Sequence, residues 1–279
     1  MQTERGRLTA VRRILPMAVL CAATVGCSGR AARSVDRFYG IVNSPAADGK
    51  LVSIDVRDQN DVTITPIGAI GTFGCTSVAL ASQGTLYSVC GPSDFVDAQE
   101  KYGCMTPGPQ RLATIDPKTG HATMFGAPVE KLNVMALEFA PDGTLYAVGD
   151  ANPASPTFNT LYTVDPKTGT FTAVGSTGVP APNFLMDLAF DARGTMYGAS
   201  MFGLFTIDRK TGTATKVVDF VGGGVVMGLG YNAKQDKLFA TDWKTPKSAL
   251  YVVDTKNGFL TPMADLGYPL SHGLVALMP

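Results

Sequence analysis

Apolar and polar residues alternate over short stretches all along the chain from residue 35 onward. Leu137 and Phe139, or Leu188 and Phe190, take every second position, the spacing of strands that bury a face. Two phrases recur. The first is an apolar strand that ends in Asp: Leu51 to Asp55, Leu112 to Asp116, Leu161 to Asp165, Leu204 to Asp208 and Leu250 to Asp254. In the last four, PKTG, PKTG, RKTG or TKNG follows and ends at Gly120, Gly169, Gly212 or Gly258. Asp accepts backbone N–H bonds two or three residues on, and Gly takes the positive φ at the exit, so each phrase predicts a hairpin turn and a structural Asp.

The second phrase is a strand, a turn and a strand with an aromatic: SVALASQGTLYSV, ALEFAPDGTLYAV, DLAFDARGTMYGA and GLGYNAKQDKLFA. Tyr87, Tyr146, Tyr197 and Phe239 stand at one equivalent position. A fifth copy is split: HGLVALMP, residues 272–279, supplies its first strand and Arg37 to Val42 its second, with Tyr39 as the aromatic. A period of about 40 to 50 residues with four short strands predicts propeller blades. The expected fold is therefore all-β, a five-bladed β-propeller whose last blade is closed by strands from both termini. Its blades run from Cys75 to Gly126, Val134 to Gly175, Leu185 to Val218, Val226 to Asp265, and Ser271 to Pro279 joined with Arg37 to Gly68.

Composition agrees: 45% hydrophobic residues, 31 Gly, 18 Pro and 16% charged residues suit a strand-and-turn chain with a sizeable core. The formal net charge is zero, and without the basic N-terminus the rest is slightly acidic, so no nucleic-acid partner is expected. Arg5, Arg7, Arg12 and Arg13 precede an apolar run from Ile14 to Val25, too short to span a bilayer and suited to a secretory signal. Residues 1–26 are thus expected to be a signal peptide, 27–34 a short tether and 35–279 the propeller. Thr24-Val25-Gly26-Cys27 resembles a bacterial lipoprotein signal, with Thr24 where that pattern usually has Leu. The resemblance implies lipidation at Cys27, export to the cell envelope or beyond, and membrane contact only through the lipid.

The alternating phrases ALEFAPDGTLYAV and LYTVDPKTGTFTAV resemble the repeats of bacterial exported propellers of the YVTN-like and quinoprotein-like kind, over nearly all of residues 35–279. That resemblance speaks to fold and leaves function open, since such propellers include binding scaffolds and enzymes.

Candidate chemistry is sparse. Turns within the phrases are short and alike, whereas Gly91 to Gln110, Asp150 to Asn159, Ser176 to Asn183, Val221 to Val225 and Asp242 to Lys247 are dissimilar and fall on one face. Recognition of a protein or small molecule is expected there. Aligning the inner strands puts Thr76, Met135, Met186, Met227 and His272 at one position near the channel mouth. Three thioethers and an imidazole suit Cu(I), but Met is also a flexible filler, and packing is the favoured reading, with no metal or cofactor expected. Asp187 stands where other blades have Ser77, Ala136, Gly228 and Gly273, a carboxylate that either binds a ligand or is buried and hydrogen-bonded. Glu138 is expected to alternate onto a blade face, away from the channel. Trp243, the only Trp, offers a stacking surface or a loop anchor.

Cys75, Cys90 and Cys104 remain after the signal, and export permits a disulfide. If Leu80 lies opposite Thr85, Cys75 lies opposite Cys90; a bridge to Cys104 stays open beside it. With only His121 and His272 as imidazoles and one carboxylate on the channel, no catalytic set is assembled. The expectation is a monomeric, non-catalytic binding or interaction scaffold; the alternative is a propeller hydrolase or lyase with its site at the channel mouth.

Overall fold

The computed structural model describes residues 35–42, 49–58, 61–72, 74–91, 110–129, 132–149, 154–269 and 272–276. Cys27 and Cys104, and with them the signal and tether, lie outside the described residues. The chain is a five-bladed β-propeller, built from five four-stranded antiparallel sheets. It begins with β1 (Asp36–Val42), β2 (Lys50–Asp58) and β3 (Asp61–Ala69). Blade one follows as β4 (Ala79–Leu80), β5 (Leu86–Cys90), β6 (Gln110–Ile115) and β7 (Ala122–Val129). Blade two is β8 (Val134–Phe139), β9 (Leu145–Gly149), β10 (Thr160–Val164) and β11 (Phe171–Ser176). Blade three is β12 (Leu185–Phe190), β13 (Met196–Ser200), β14 (Gly203–Ile207) and β15 (Ala214–Asp219). Blade four is β16 (Val225–Asn232), β17 (Lys237–Trp243), β18 (Ala249–Val253) and β19 (Leu260–Asp265). The last strand, β20 (His272–Ala276), then pairs with β1 as the inner strand of blade five.

Each interface between neighbouring blades holds its own apolar cluster, and this is what the period-two alternation provides. Val89 and Leu112 of blade one meet Leu137 and Leu145 of blade two; Val148 and Leu161 meet Leu188 and Phe205. Leu204 meets Leu229 and Tyr251, and Phe239 and Leu250 meet Phe38 and Val52. The ring closes where Ile41 and Leu51 meet Leu80 and Ile115. Five interfaces join five blades in a circle, which gathers the inner strand of every sheet at the axis.

The DPKTG-type turns form as expected. A side-chain oxygen of Asp116, Asp165 and Asp208 accepts the N–H of Lys118, Lys167 and Lys210 at 2.8, 2.8 and 2.7 Å. The closing glycine is in the left-handed region, with φ +80° at Gly120 and +83° at Gly212. These aspartates build turns.

Cys75 is bonded to Cys90. Leu80 pairs with Leu86, not Thr85, so the expected register is off by one. One extra residue on the inner side, between Cys75 and Leu80, absorbs the difference and brings the cysteines together. Blades two to four carry the same irregularity at the same level.

Candidate functional site

The functional geometry lies along the axis, where the five inner strands converge, and has three levels. At the long-loop end, Val134 pairs with Gly149 and Ala136 with Val148, so Met135 is an extra residue. Met186 is extra between Leu185 and Asp187, and Met227 between Val226 and Gly228. A bulge re-aims its side chain out of the sheet alternation. The three methionines gather in one buried cluster with Phe184, packed by Phe158, Met201, Val225 and Trp243.

The remaining members of the aligned position differ. Thr76 is buried, and its hydroxyl donates to the carbonyl of Val134 at 2.7 Å. In blade five the extra residue is Gly273, so His272 itself pairs with Ile41. Gly273 has φ +60°, and a Cβ there would sit 2.6 Å from the Val78 nitrogen, so close approach to blade one moves the bulge onto glycine. His272 is 3% exposed and packs edge-on to Trp243, ring centroids 5.3 Å apart. Neither ring nitrogen has a hydrogen-bond partner among the described residues. Burial pushes the imidazole down to about 4, so it is neutral at physiological pH.

One step below, Asp187 spans the axis. Its Oδ2 accepts the N–H of Leu229 at 2.8 Å and of Leu274 at 3.2 Å, and the carboxylate also accepts the N–H of Leu188. Its Oδ1 accepts from the Ser77 hydroxyl at 3.3 Å, while Ser77 Oγ accepts the N–H of Leu137 at 2.9 Å. Leu137, Leu188, Leu229 and Leu274 are equivalent residues of blades two to five, and Ser77 belongs to blade one. Inward-pointing backbone amides make an anion site, and here the protein supplies the anion. Asp187 fits because its counterparts in the other blades are Ser, Ala and Gly. Burial pushes its carboxyl up, and the amides and hydroxyl oppose that shift.

At the short-turn end the axis opens into a cavity of about 250 Å³ lined by Leu80, Glu138, Phe139, Phe190, Asp191 and Tyr231, among others. Glu138 therefore lines the channel and does not turn away onto a blade face. It pairs with Tyr146 as Ala79 pairs with Tyr87, Ala189 with Tyr197, Gly230 with Phe239 and Val275 with Tyr39. Four smaller residues around the ring leave it space at the centre. Glu138 Oε1 accepts its neighbour Phe139 N–H at 2.9 Å. Burial, and then the charge of Asp187, push its carboxyl well above the usual range. Asp191 is held below that range: although burial opposes this, Thr195 N–H, Arg193 N–H and the Arg193 guanidinium all bond to it. On the same wall Arg209 stacks over Phe190, 5.6 Å from its ring centroid.

No protein-family model matches the chain, and no curated protein does. Solved structures match its fold. A chain of a nidogen/laminin complex superposes with a TM-score of 0.53 at 11% identity, over 88% of this chain and 99% of that one. TolB from Acinetobacter baumannii gives 0.45 at 10% identity, over 86% of this chain and 66% of TolB. A gluconolactonase from Xanthomonas campestris gives 0.43 at 18% identity, over 69% and 65%. The first supports the propeller fold; none carries an activity, ligand or partner over to this chain.

Of the residues singled out in the sequence, the axis brings together Met135, Met186, Met227 and Trp243 in one cluster, with His272 against Trp243 and Asp187 one step below the methionines. Thr76 is spent on a backbone carbonyl. Glu138 was missed, although the comparison that found Asp187 finds it too: one large acid in a ring of Ala, Gly and Val.

Proposed function

We propose that this propeller is an exported, lipid-anchored, non-catalytic binding scaffold of the YVTN-like or quinoprotein-like kind, and that a small ligand sits in the short-turn cavity. The observation that carries this reading is the unequal use of the two axial carboxyls. Asp187 is consumed by backbone amides and the Ser77 hydroxyl, whereas Glu138 faces a mostly apolar cavity with one bond to its own neighbour. A hydrolase working on a glycosidic bond needs two carboxyls free to act on it. The long-loop end, where recognition was expected, is filled by side chains.

A buried acid with Phe139, Phe190 and Tyr231 around the same space suits an organic ammonium, which would take Glu138 to its charged form. Titrating n-butylammonium and n-butanol into the wild type and into Glu138→Gln tests this. The amine should bind the wild type at least tenfold more tightly than it binds the variant, and butanol should not tell the two apart. Failure of the amine to bind, or equal binding to both, removes the reading. A hydrolytic alternative rests on Glu138 and Asp191 lining one cavity with their carboxyls shifted in opposite directions. The bonds Asp191 makes to its own turn count against it.

The same variant carries a pH prediction. Folding raises the proton affinity of Glu138, so its contribution is full below the unfolded-chain value near ~4.3 and is lost as pH rises through the folded value. Glu138→Gln should therefore flatten the melting-temperature profile above about pH 5 and melt higher than wild type at neutral pH, by ~2–4 °C per kcal/mol recovered. Parallel profiles for the two proteins would assign the shift elsewhere.

Anchoring through Cys27 has its own test. Cys27→Ser expressed in a bacterial host should leave the membrane fraction and appear in the soluble one, because the acyl chains supply the anchor. Equal partitioning of both proteins would end the lipoprotein reading.

A further inference from the structure

The long-loop end of the axis holds a group that the scaffold reading does not use. His272 is buried with both ring nitrogens unpaired among the described residues, although a buried polar group is destabilising unless something satisfies it. It stands against Trp243, and Trp243 packs on the cluster of Met135, Met186 and Met227. Filling a plug would need only apolar volume. Here three adjacent blades each place a thioether on the extra residue of a bulge, at one level, and the Trp243 that packs on them also meets an imidazole without a partner among the described residues.

We propose that this cluster is a soft-metal site in which His272 and the thioethers of Met135, Met186 and Met227 bind one monovalent thiophilic cation, Cu(I), beside Trp243. The donor set decides the class of metal. Among the described residues no three His, Cys, Asp or Glu side chains come together as metal ligands. The acids nearest in sequence to the cluster are both engaged: Asp187 by its amides, and Asp242 by Gly224 N–H, Ala249 N–H and the Tyr251 hydroxyl. Neither acid offers a hard divalent ion a free carboxylate, whereas nitrogen and thioether sulfur are donors that select Cu(I) and Ag(I). A neutral imidazole is the form that ligates.

Trp243 is the only tryptophan in the chain, so its fluorescence reports this site alone. The probes are Ag(I), Cu(I) under competition with bathocuproine disulfonate, and Zn(II), titrated into the full chain after its free thiols are alkylated. The wild type should show a saturable change at one equivalent of Ag(I) and of Cu(I), and none with Zn(II). Met135→Leu/Met186→Leu/Met227→Leu keeps the volume and removes the sulfurs; it should weaken Ag(I) and Cu(I) at least a hundredfold while its circular dichroism stays that of the wild type. Should the triple variant fail to fold, Met186→Leu and His272→Gln, measured separately, should each weaken both ions at least tenfold. The proposal is overturned if the wild type shows no stoichiometric response, if Zn(II) competes, or if folded variants bind as the wild type does.

Discussion

Asp187→Ala is expected to lower stability by about 4 kcal/mol or more, because it strands buried donors at ~1–3 kcal/mol each and leaves a void on the axis. The amides of Leu188, Leu229 and Leu274 lose their acceptor, and the Ser77 hydroxyl loses one of its own. For a domain of this size that is a fall in melting temperature of roughly 10 °C or more. Asp187→Asn should behave quite differently. Its side-chain oxygen can accept Leu229 and Leu274, and its amide can donate to Ser77 Oγ, so most bonds survive while the cost of a buried charge disappears. Asn should thus melt within a few degrees of wild type. It should also bring the Glu138 carboxyl down, since the charge of Asp187 helps to raise it. Calorimetry of the three proteins, with the pH dependence of each melting point, checks both parts. An alanine variant that melts with the wild type would mean that the five blades do not depend on this carboxylate.

The contrast between Asp187 and Glu138 shows what could be read in the sequence. Blade number, the split fifth blade and the turn role of the repeated aspartates rest on local rules: alternation, Asx turns and positive-φ glycines. Those rules operate within a few residues, and the structure follows them. The axis obeys longer-range geometry. Whether an inner-strand side chain meets a neighbouring blade or the channel depends on the size of its counterparts in the other blades, so Glu138, opposite Ala79, Ala189, Gly230 and Val275, reaches the centre. Whether an amide points inward depends on a bulge, and bulges leave no strong mark in sequence. Equivalence did place the three methionines at one level. It placed His272 one pairing step off, because Gly273 takes the bulge in blade five. The disulfide is open in the sequence because Cys104 competes with Cys75 and Cys90, and the register that joins those two turns on one extra inner-strand residue.

Removing β20, by ending the chain after Ser271, is expected to abolish cooperative unfolding or lower the melting temperature by well over about 10 °C. Three losses coincide there. Tyr39 and Gly40 lose their pairs with Val275 and Leu274, which leaves β1 as an unpaired inner edge. Leu274 leaves the interface between blades four and five, and Val275 the one between five and one, where burying a large apolar side chain is worth ~2–5 kcal/mol. The Leu274 amide is withdrawn from Asp187 as well, so the opening of the ring reaches the axis. A peptide of residues 270–279 added to the truncated protein should restore much of the melting point by adding a strand to the vacant edge. Rescue separates a missing strand from a chain that has simply become unstable, because only the first leaves a gap the peptide can fill. A truncated protein that melts like the full chain would show that the ring holds without its last strand, and the closure of blade five would then contribute little to stability.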